Sequence, residues 1–167
     1  MEETFLKSVT LFAEFEPAEL EALAKTLQLS QYGAGDVILD EGHANRALHI
    51  LKSGRIRVSR RVDDGEVALC DLEAGQTFGE LSIIEDGVAS ASLRATAPTE
   101  VLSISMHDLA RFLRETPAAA AKFWRAIAVD LRRRLIQTND VVRSYFEVNR
   151  ALVENPTFRQ AYAMCNR

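Results

Sequence analysis

The stretch Gly75-Gln-Thr-Phe-Gly-Glu-Leu-Ser-Ile-Ile-Glu-Asp-Gly-Val-Ala-Ser-Ala-Ser-Leu-Arg-Ala95 decides how the rest of the chain is read. Its spacing of glycines and apolar residues predicts a strand end, a glycine-led turn, one turn of helix and then a second strand. Physically, such a turn is an anion cradle. Gly79 lets the backbone approach a ligand closely, and the amides of Leu81 and Ser82 open a helical turn whose positive end favours phosphate. Glu80, an acceptor at the same place, suits the hydroxyl groups of a sugar. Taken alone, a Gly-Glu pair ahead of an apolar pair is more often an ordinary turn, so its surroundings decide.

Outward on both sides, from Gln28 to Met106, short β-rich runs alternate with turn residues: Gly33-Ala-Gly35, Glu41-Gly42, Ser53-Gly54, Asp63-Asp-Gly65, Ala74-Gly75 and Asp86-Gly87. Turns at this spacing predict an all-β roll or barrel. Val37-Ile-Leu39, Ala47 to Leu51, Ile56-Arg-Val-Ser and Val67-Ala-Leu are strand-like, and Val62-Asp-Asp-Gly-Glu-Val67 reads as a hairpin tip. Before the roll, Phe12 and Phe15 lead into Pro17-Ala-Glu-Leu-Glu-Ala-Leu-Ala-Lys, a short helix with Leu20, Leu23, Ala24 and Leu27 on one face.

After Met106 helical spacing returns. His107 to Arg114 reads as a short helix, Thr116-Pro117 as a break, and Ala118 to about Val148 as one continuous helix roughly 45 Å long. Trp124, Ile127, Leu131, Leu135, Thr138, Val142, Tyr145 and Asn149 follow steps of three and four, approximating a heptad seam. Part of such a stripe packs on the roll. A roll this small covers only the first turns, which leaves Val142 and Phe146 exposed unless paired and predicts a homodimer through the long helix. Asn155-Pro156 then redirects the chain, and Thr157 to Met164 is compatible with a final short helix.

Of the 167 residues, 47% are hydrophobic and 26% charged, a globular mixture sufficient for one core with an appendage. The division expected is residues 1–116 for the roll with its helices, 117–150 for the long helix and 151–167 for a tail. Lys and Arg number 11 against 20 Asp and Glu in residues 1–116, but 7 against 3 in residues 117–150, so an acidic body is joined to a basic helix. A solvated face is the ordinary meaning of that basic helix, ahead of an acidic or nucleic-acid partner. Cys70 and Cys165 form neither a CxxC nor a histidine-rich cluster, which fits reduced thiols in a cytoplasmic protein. The acidic Glu2-Glu3 start is unlike a secretory peptide, and no apolar run has membrane-spanning length.

The whole order of features resembles the cyclic-nucleotide-binding domains of protein kinase A regulatory subunits and catabolite activator proteins, over about Phe12 to Arg150. The matching residues are Leu11-Phe12 with Glu19-Leu20, Tyr32-Gly-Ala-Gly-Asp-Val-Ile38, Gly42, Leu48-His-Ile-Leu-Lys-Ser-Gly-Arg-Ile56, Gly75, Phe78-Gly-Glu-Leu-Ser82 and the strand region Leu93 to Ile104. The resemblance implies an antiparallel β-roll of eight or so strands, mainly β with flanking helices. It makes Gly79, Glu80, Leu81 and Ser82 the phosphate and ribose contacts, with a cyclic nucleotide or another phosphate-bearing small molecule as ligand. The long helix then caps the pocket and relays its state.

One position departs from that pattern. The family places an arginine on the ligand phosphate ten residues after the cassette glycine, usually followed by Ala, Ser or Thr; here that position is Ala89, followed by Ser90. Removing one member of a buried charge pair costs on the order of 2 to 5 kcal/mol, and this is about thirty- to several-thousand-fold in affinity. Arg94 is a poor substitute, because an unbroken strand aims it and Ala89 at opposite faces. Arg55, Arg57, Arg60 and Arg61 are the other candidates to reach the pocket.

The chemistry of catalysis is not legible. A cupin-like metalloenzyme needs several imidazoles and a carboxylate on one ion, whereas His43, His49 and His107 lack that spacing. Ser82, Ser90 and Ser92 have no nucleophile-elbow setting. Arg132-Arg-Arg134 fans out around a helix between Leu131 and Leu135 and reads as a solvated face. Relatives that regulate transcription carry a helix-turn-helix after the long helix, and Ala151 to Arg167 are too few for one, so no DNA-binding domain is expected. The expectation is a non-catalytic regulatory module with a protein partner, acting either as a ligand sensor or as a ligand-free dimeric scaffold.

Overall fold

The structure, a computed structural model, describes residues 2–63, 65–80 and 87–155. Helix α1 (Glu2–Ser8), a 3-10 turn (Thr10–Phe12) and α2 (Pro17–Ala24) precede β1 (Gln28–Tyr32), β2 (Val37–Leu39), β3 (Ala47–Ser53), β4 (Ile56–Val62), β5 (Gly65–Leu72), β6 (Thr77–Phe78), β7 (Ser92–Ala95) and β8 (Thr99–Ser105). Helices α3 (Met106–Glu115) and α4 (Pro117–Glu154) follow. The chain divides into two compact units, Met1–Ile127 and Ala128–Arg167.

In the first unit the eight strands among the described residues form two four-stranded antiparallel sheets, in the orders β1-β8-β3-β6 and β2-β7-β4-β5. This is the predicted β-roll. Leu51, Phe78 and Val101 from one sheet meet Ile56 and Leu93 from the other in a buried cluster. The β4–β5 hairpin closes with Val62 paired to Gly65, as its Asp-Asp-Gly sequence predicts. Asp63 takes a positive φ of 46° in that turn, a conformation Asp tolerates through local side-chain hydrogen bonding.

The helical part of this unit has its own aromatic core. Phe12 meets Phe15 edge-on at 5.3 Å and stacks on Phe123 at 6.4 Å, while Phe15 stacks on Phe112 at 6.2 Å. Leu11-Phe12 fall in the 3-10 turn and Glu19-Leu20 in α2. Pro17 has no amide to donate and therefore starts α2 afresh. There the Glu19 carboxylate accepts the Glu16 amide at 2.7 Å and the Lys122 ammonium at 2.9 Å. Burial works to raise the pKa of Glu19, but the Lys122 and Glu16 hydrogen bonds outweigh it and hold the group below the usual carboxylate value. Thr116 ends α3, and Pro117 opens α4 at the position where a missing amide costs nothing.

The second unit holds the remainder of α4. The helix persists to Glu154, past the predicted end near Val148, and stops before Asn155-Pro156 because a residue preceding proline disfavours helical backbone. Asp130 accepts from both Arg133 and Arg134, and Arg143–Glu147 and Arg150–Glu154 are paired at one-turn spacing. Leu135 (62% exposed), Val142, Tyr145 and Phe146 (67% exposed) all face solvent. The final short helix expected at Thr157 to Met164 lies outside the described residues.

Candidate functional site

The expected cassette begins where β6 ends. Phe78 is fixed in the core, so the chain leaves the strand hard against the body of the roll. Gly79 has φ +80°, and a Cβ there would lie 2.5 Å from Asn45 Nδ2 and 2.8 Å from the Ala47 carbonyl oxygen. Both the left-handed backbone and the close wall require glycine. Glu80 follows with only 4% of its surface exposed, a carboxylate drawn into the protein beside that wall. Leu81 and Ser82 lie outside the described residues.

The wall is a hydrogen-bond network. Asn45 Nδ2 donates to the Ala47 carbonyl at 2.9 Å, and Asn45 Oδ1 accepts from the Ala47 amide at 3.3 Å. His49 Nε2 lies 3.1 Å from the same Oδ1, and His49 Nδ1 lies 2.9 Å from Ser103 Oγ. An amide oxygen only accepts, so Nε2 carries the ring proton and Nδ1 accepts from the Ser103 hydroxyl. His49 also stacks on Phe78, with ring centroids 4.9 Å apart and planes 12° from parallel. Burial lowers its pKa to about 4, which keeps the ring neutral at pH 7. Sequence reasoning did not single out Asn45 and weighed His49 only as a metal ligand. The available signal was one imidazole in the apolar run Leu48-His-Ile-Leu51.

The far end of the cassette returns to the same loop. The Ala89 amide donates to the His43 carbonyl at 2.8 Å, and the Gly42 amide donates to the Ala89 carbonyl at 2.9 Å. The Asn45 amide reaches the Gly87 carbonyl at 3.4 Å, and Ala44 bridges to Val88. Residues 42–45 therefore stitch Gly87–Ala89 on one side and, through Asn45, abut Gly79 on the other. Ala89 is 8% exposed and offers only a methyl group, whereas Ser90 is exposed.

The arginines that might have served the cassette are held elsewhere. Arg57 makes a two-pronged pair with Asp71 at 2.8 and 2.9 Å, and Arg55 lies 3.6 Å from Glu73. Arg60 donates to Glu41 Oε1 at 3.3 Å, the Arg61 amide to Glu41 Oε2 at 2.8 Å, and the Arg61 guanidinium to Asp40 at 2.8 Å. The Arg61 amide holds the Glu41 carboxyl below its ordinary pKa against the opposing effect of burial, with a lesser contribution from the Arg60 side chain. Arg94 donates to the Gly35 carbonyl at 2.7 Å.

A polar hollow of about 390 Å³ is lined by Asp40, Arg61, Asp63, Gly65, Glu66, Ser92 and Arg94. It shares none of the cassette residues. Arg94 lies opposite Arg57 and alternates with the core residue Leu93, so Arg94 is on the face of its sheet turned away from the core. His43 Nδ1 is 3.5 Å from Asp40 Oδ2. Among the described residues no group of three or more His, Cys, Asp or Glu side chains is placed to hold a metal ion.

Comparison with known proteins follows this geometry. Residues 29–116 match the family model described as "Cyclic nucleotide-binding domain". The chain is 34% identical over 126 residues to the CRP-like cAMP-activated global transcriptional regulator of Mycobacterium tuberculosis, covering 74% of this chain and 55% of that protein. It is 30% identical over 160 residues to the cyclic AMP receptor protein of Thermus thermophilus, covering 95% and 69%. The crystal structure of the N-terminal domain of a transcriptional regulator from Streptomyces coelicolor superposes with a TM-score of 0.71 at 27% identity, covering 83% of this chain and 94% of that one. The chain thus spans about half the length of the mycobacterial regulator.

Proposed function

Because this chain belongs to the cyclic nucleotide-binding domain family, we propose that it is a non-catalytic regulatory domain whose small-molecule ligand contacts Gly79, Glu80, Leu81 and Ser82, with Ala89 and Ser90 opposite. The observation that carries this reading is a buried carboxylate, Glu80, directly after a glycine that both backbone conformation and a close wall require. A carboxylate at that point is a hydrogen-bond acceptor, and sugar hydroxyls are suitable donors to one. The output passes through α4 to a second copy of the chain and to a protein partner. The exposed apolar residues Leu135, Val142, Tyr145 and Phe146 support self-association there.

A second reading, a dimeric scaffold that holds no ligand, is favoured by one residue. Ala89 supplies no cation where the family uses arginine for phosphate. Thermal denaturation of the ligand-stripped protein with a panel of nucleosides and cyclic nucleotides decides between the two. Stabilisation by a panel member that disappears in Glu80→Ala supports the sensor. Absence of any shift to millimolar concentration, with a dimer seen by sedimentation, supports the scaffold.

A further inference from the structure

Resting on the reading that α4 pairs with a second copy of the chain, we infer that the distal stretch of the paired helix, Val141 to Val148, is the docking site for the protein partner, and that the partner presents an amphipathic helix with one acidic edge. The observations that carry this lie within the second unit.

From Leu135 onward the seam runs through Leu135, Thr138, Val142, Tyr145 and Asn149, in regular alternating steps of three and four. Two helices that meet on such a seam bury its residues and leave the positions on either side at the rim, where charged residues are usual because water still reaches them. Here the rim changes character along the helix. Arg134 and Asn139 flank the proximal turns, whereas Val141, Phe146 and Val148 flank the distal ones. Val141 is 69% exposed and Val148 59%. Apolar residues on the seam and on both its flanks make a face wider than one partner helix covers, so pairing two copies leaves the flanks bare.

Asn149 is a polar residue at a seam position, the device by which two parallel helices fix their register. With the helices parallel, Val141 and Val148 of one copy run beside Phe146 of the other, and one such groove lies on each side of the pair. A further helix laid along each groove completes a four-helix arrangement. Charge selects the occupant. Gln137 and Ser144, a turn away from the valines, leave that rim uncharged, while Arg143 and Arg150, three and four residues from Phe146, make the opposite rim basic. Arg143 is paired with Glu147 and Arg150 with Glu154, but these are exposed one-turn pairs, which exchange readily for another carboxylate. Acidic residues along one edge of the partner helix therefore meet two guanidiniums, whereas lysines there meet like charge.

The test uses the full chain and a synthetic amphipathic peptide about five turns long, with leucines at seam spacing and glutamates along one edge, beside a lysine-edged twin and a control of scrambled order. Sedimentation equilibrium should show a wild-type dimer that takes up two glutamate-edged peptides. Titration of labelled peptide should find the lysine-edged twin at least about tenfold weaker and the scrambled control silent. Val141→Lys with Val148→Lys should remain a dimer and lose at least about tenfold in peptide affinity. Should a thermal melt reveal that this variant does not fold, Val141→Ala with Val148→Ala, which keeps helix propensity, carries the same comparison. Arg143→Gln with Arg150→Gln should still bind but no longer prefer glutamate over lysine. One peptide on a single chain overturns the inference, because the peptide has then replaced the second copy on the seam. Equal uptake by wild type and the valine variant, a wild-type tetramer, or a dimer that takes up no peptide overturns it as well. A wild type that stays monomeric at every concentration instead defeats the self-association on which the groove depends.

Discussion

His49 Nε2 lies 3.1 Å from Asn45 Oδ1, and Asn45 is the residue against which Gly79 is pressed. A neutral imidazole thus orients the amide that forms the wall of the candidate site. The pKa of about 4, against 6.5 for an ordinary histidine, ties this contact to pH. Between those values the unfolded chain binds a proton that the folded chain refuses, so the contribution is complete above about pH 6.5 and declines as pH falls towards 4. The sloping part is worth up to about 3 kcal/mol. Urea denaturation across this range should show His49→Gln, which keeps a donor for Asn45 but does not titrate, with a shallower loss of stability than wild type. Parallel curves for the two proteins would remove His49 as the source.

Gly79→Ala should be costly well beyond the ordinary effect of a surface glycine. The left-handed backbone alone costs about 1–2 kcal/mol for a residue with a Cβ. The neighbours at 2.5 and 2.8 Å must also move, one of them main chain. A loss of at least about 2 kcal/mol in chemical denaturation is expected. A smaller loss would mean that the wall yields.

Phe12→Ala opens a cavity between the 3-10 turn and α4, since Phe12 is fully buried against Phe15 and Phe123. A destabilisation of about 3–5 kcal/mol is expected. The change lies far along the chain from the cassette, so ligand-induced stabilisation, read as the shift between free and saturated melting temperatures, should persist in whatever fraction folds.

Leu135→Asp combined with Val142→Asp places charge on the exposed seam of α4. Wild type should sediment as a dimer whose melting temperature rises with protein concentration. The double variant should sediment as a monomer with a concentration-independent transition. A monomeric wild type would assign these side chains to a different partner.

Much of this molecule was legible in its sequence because local chemistry and tertiary structure agree. Asp63-Asp-Gly65 asks for a tight turn and the β4–β5 pairing supplies one; Thr116-Pro117 asks for a helix break and receives it. Gly79 was identifiable because no other residue fits its backbone. Helix α1 was not legible, since among its described side chains only Leu6 is buried and the seven residues carry no strong pattern. The Asn45–His49 network was also hidden. Its members are four residues apart in the chain, but the third partner, Ser103, comes from β8, and only the β3–β8 register brings it alongside. The engagement of Arg60 and Arg61 by Glu41 and Asp40 is of the same kind, a relation between β4 and the loop after β2 that spacing along the chain does not encode.

Loop 42–45 grips the candidate site at two points, behind Gly79 and again at Gly87–Ala89, through main-chain bonds and one asparagine. At Gly87–Ala89 the grip is main chain to main chain, so it does not depend on which side chains stand there. Natural variation can therefore rewrite what the site recognises while leaving the conditions for folding almost untouched, so descendants of one scaffold can diverge in ligand faster than in shape.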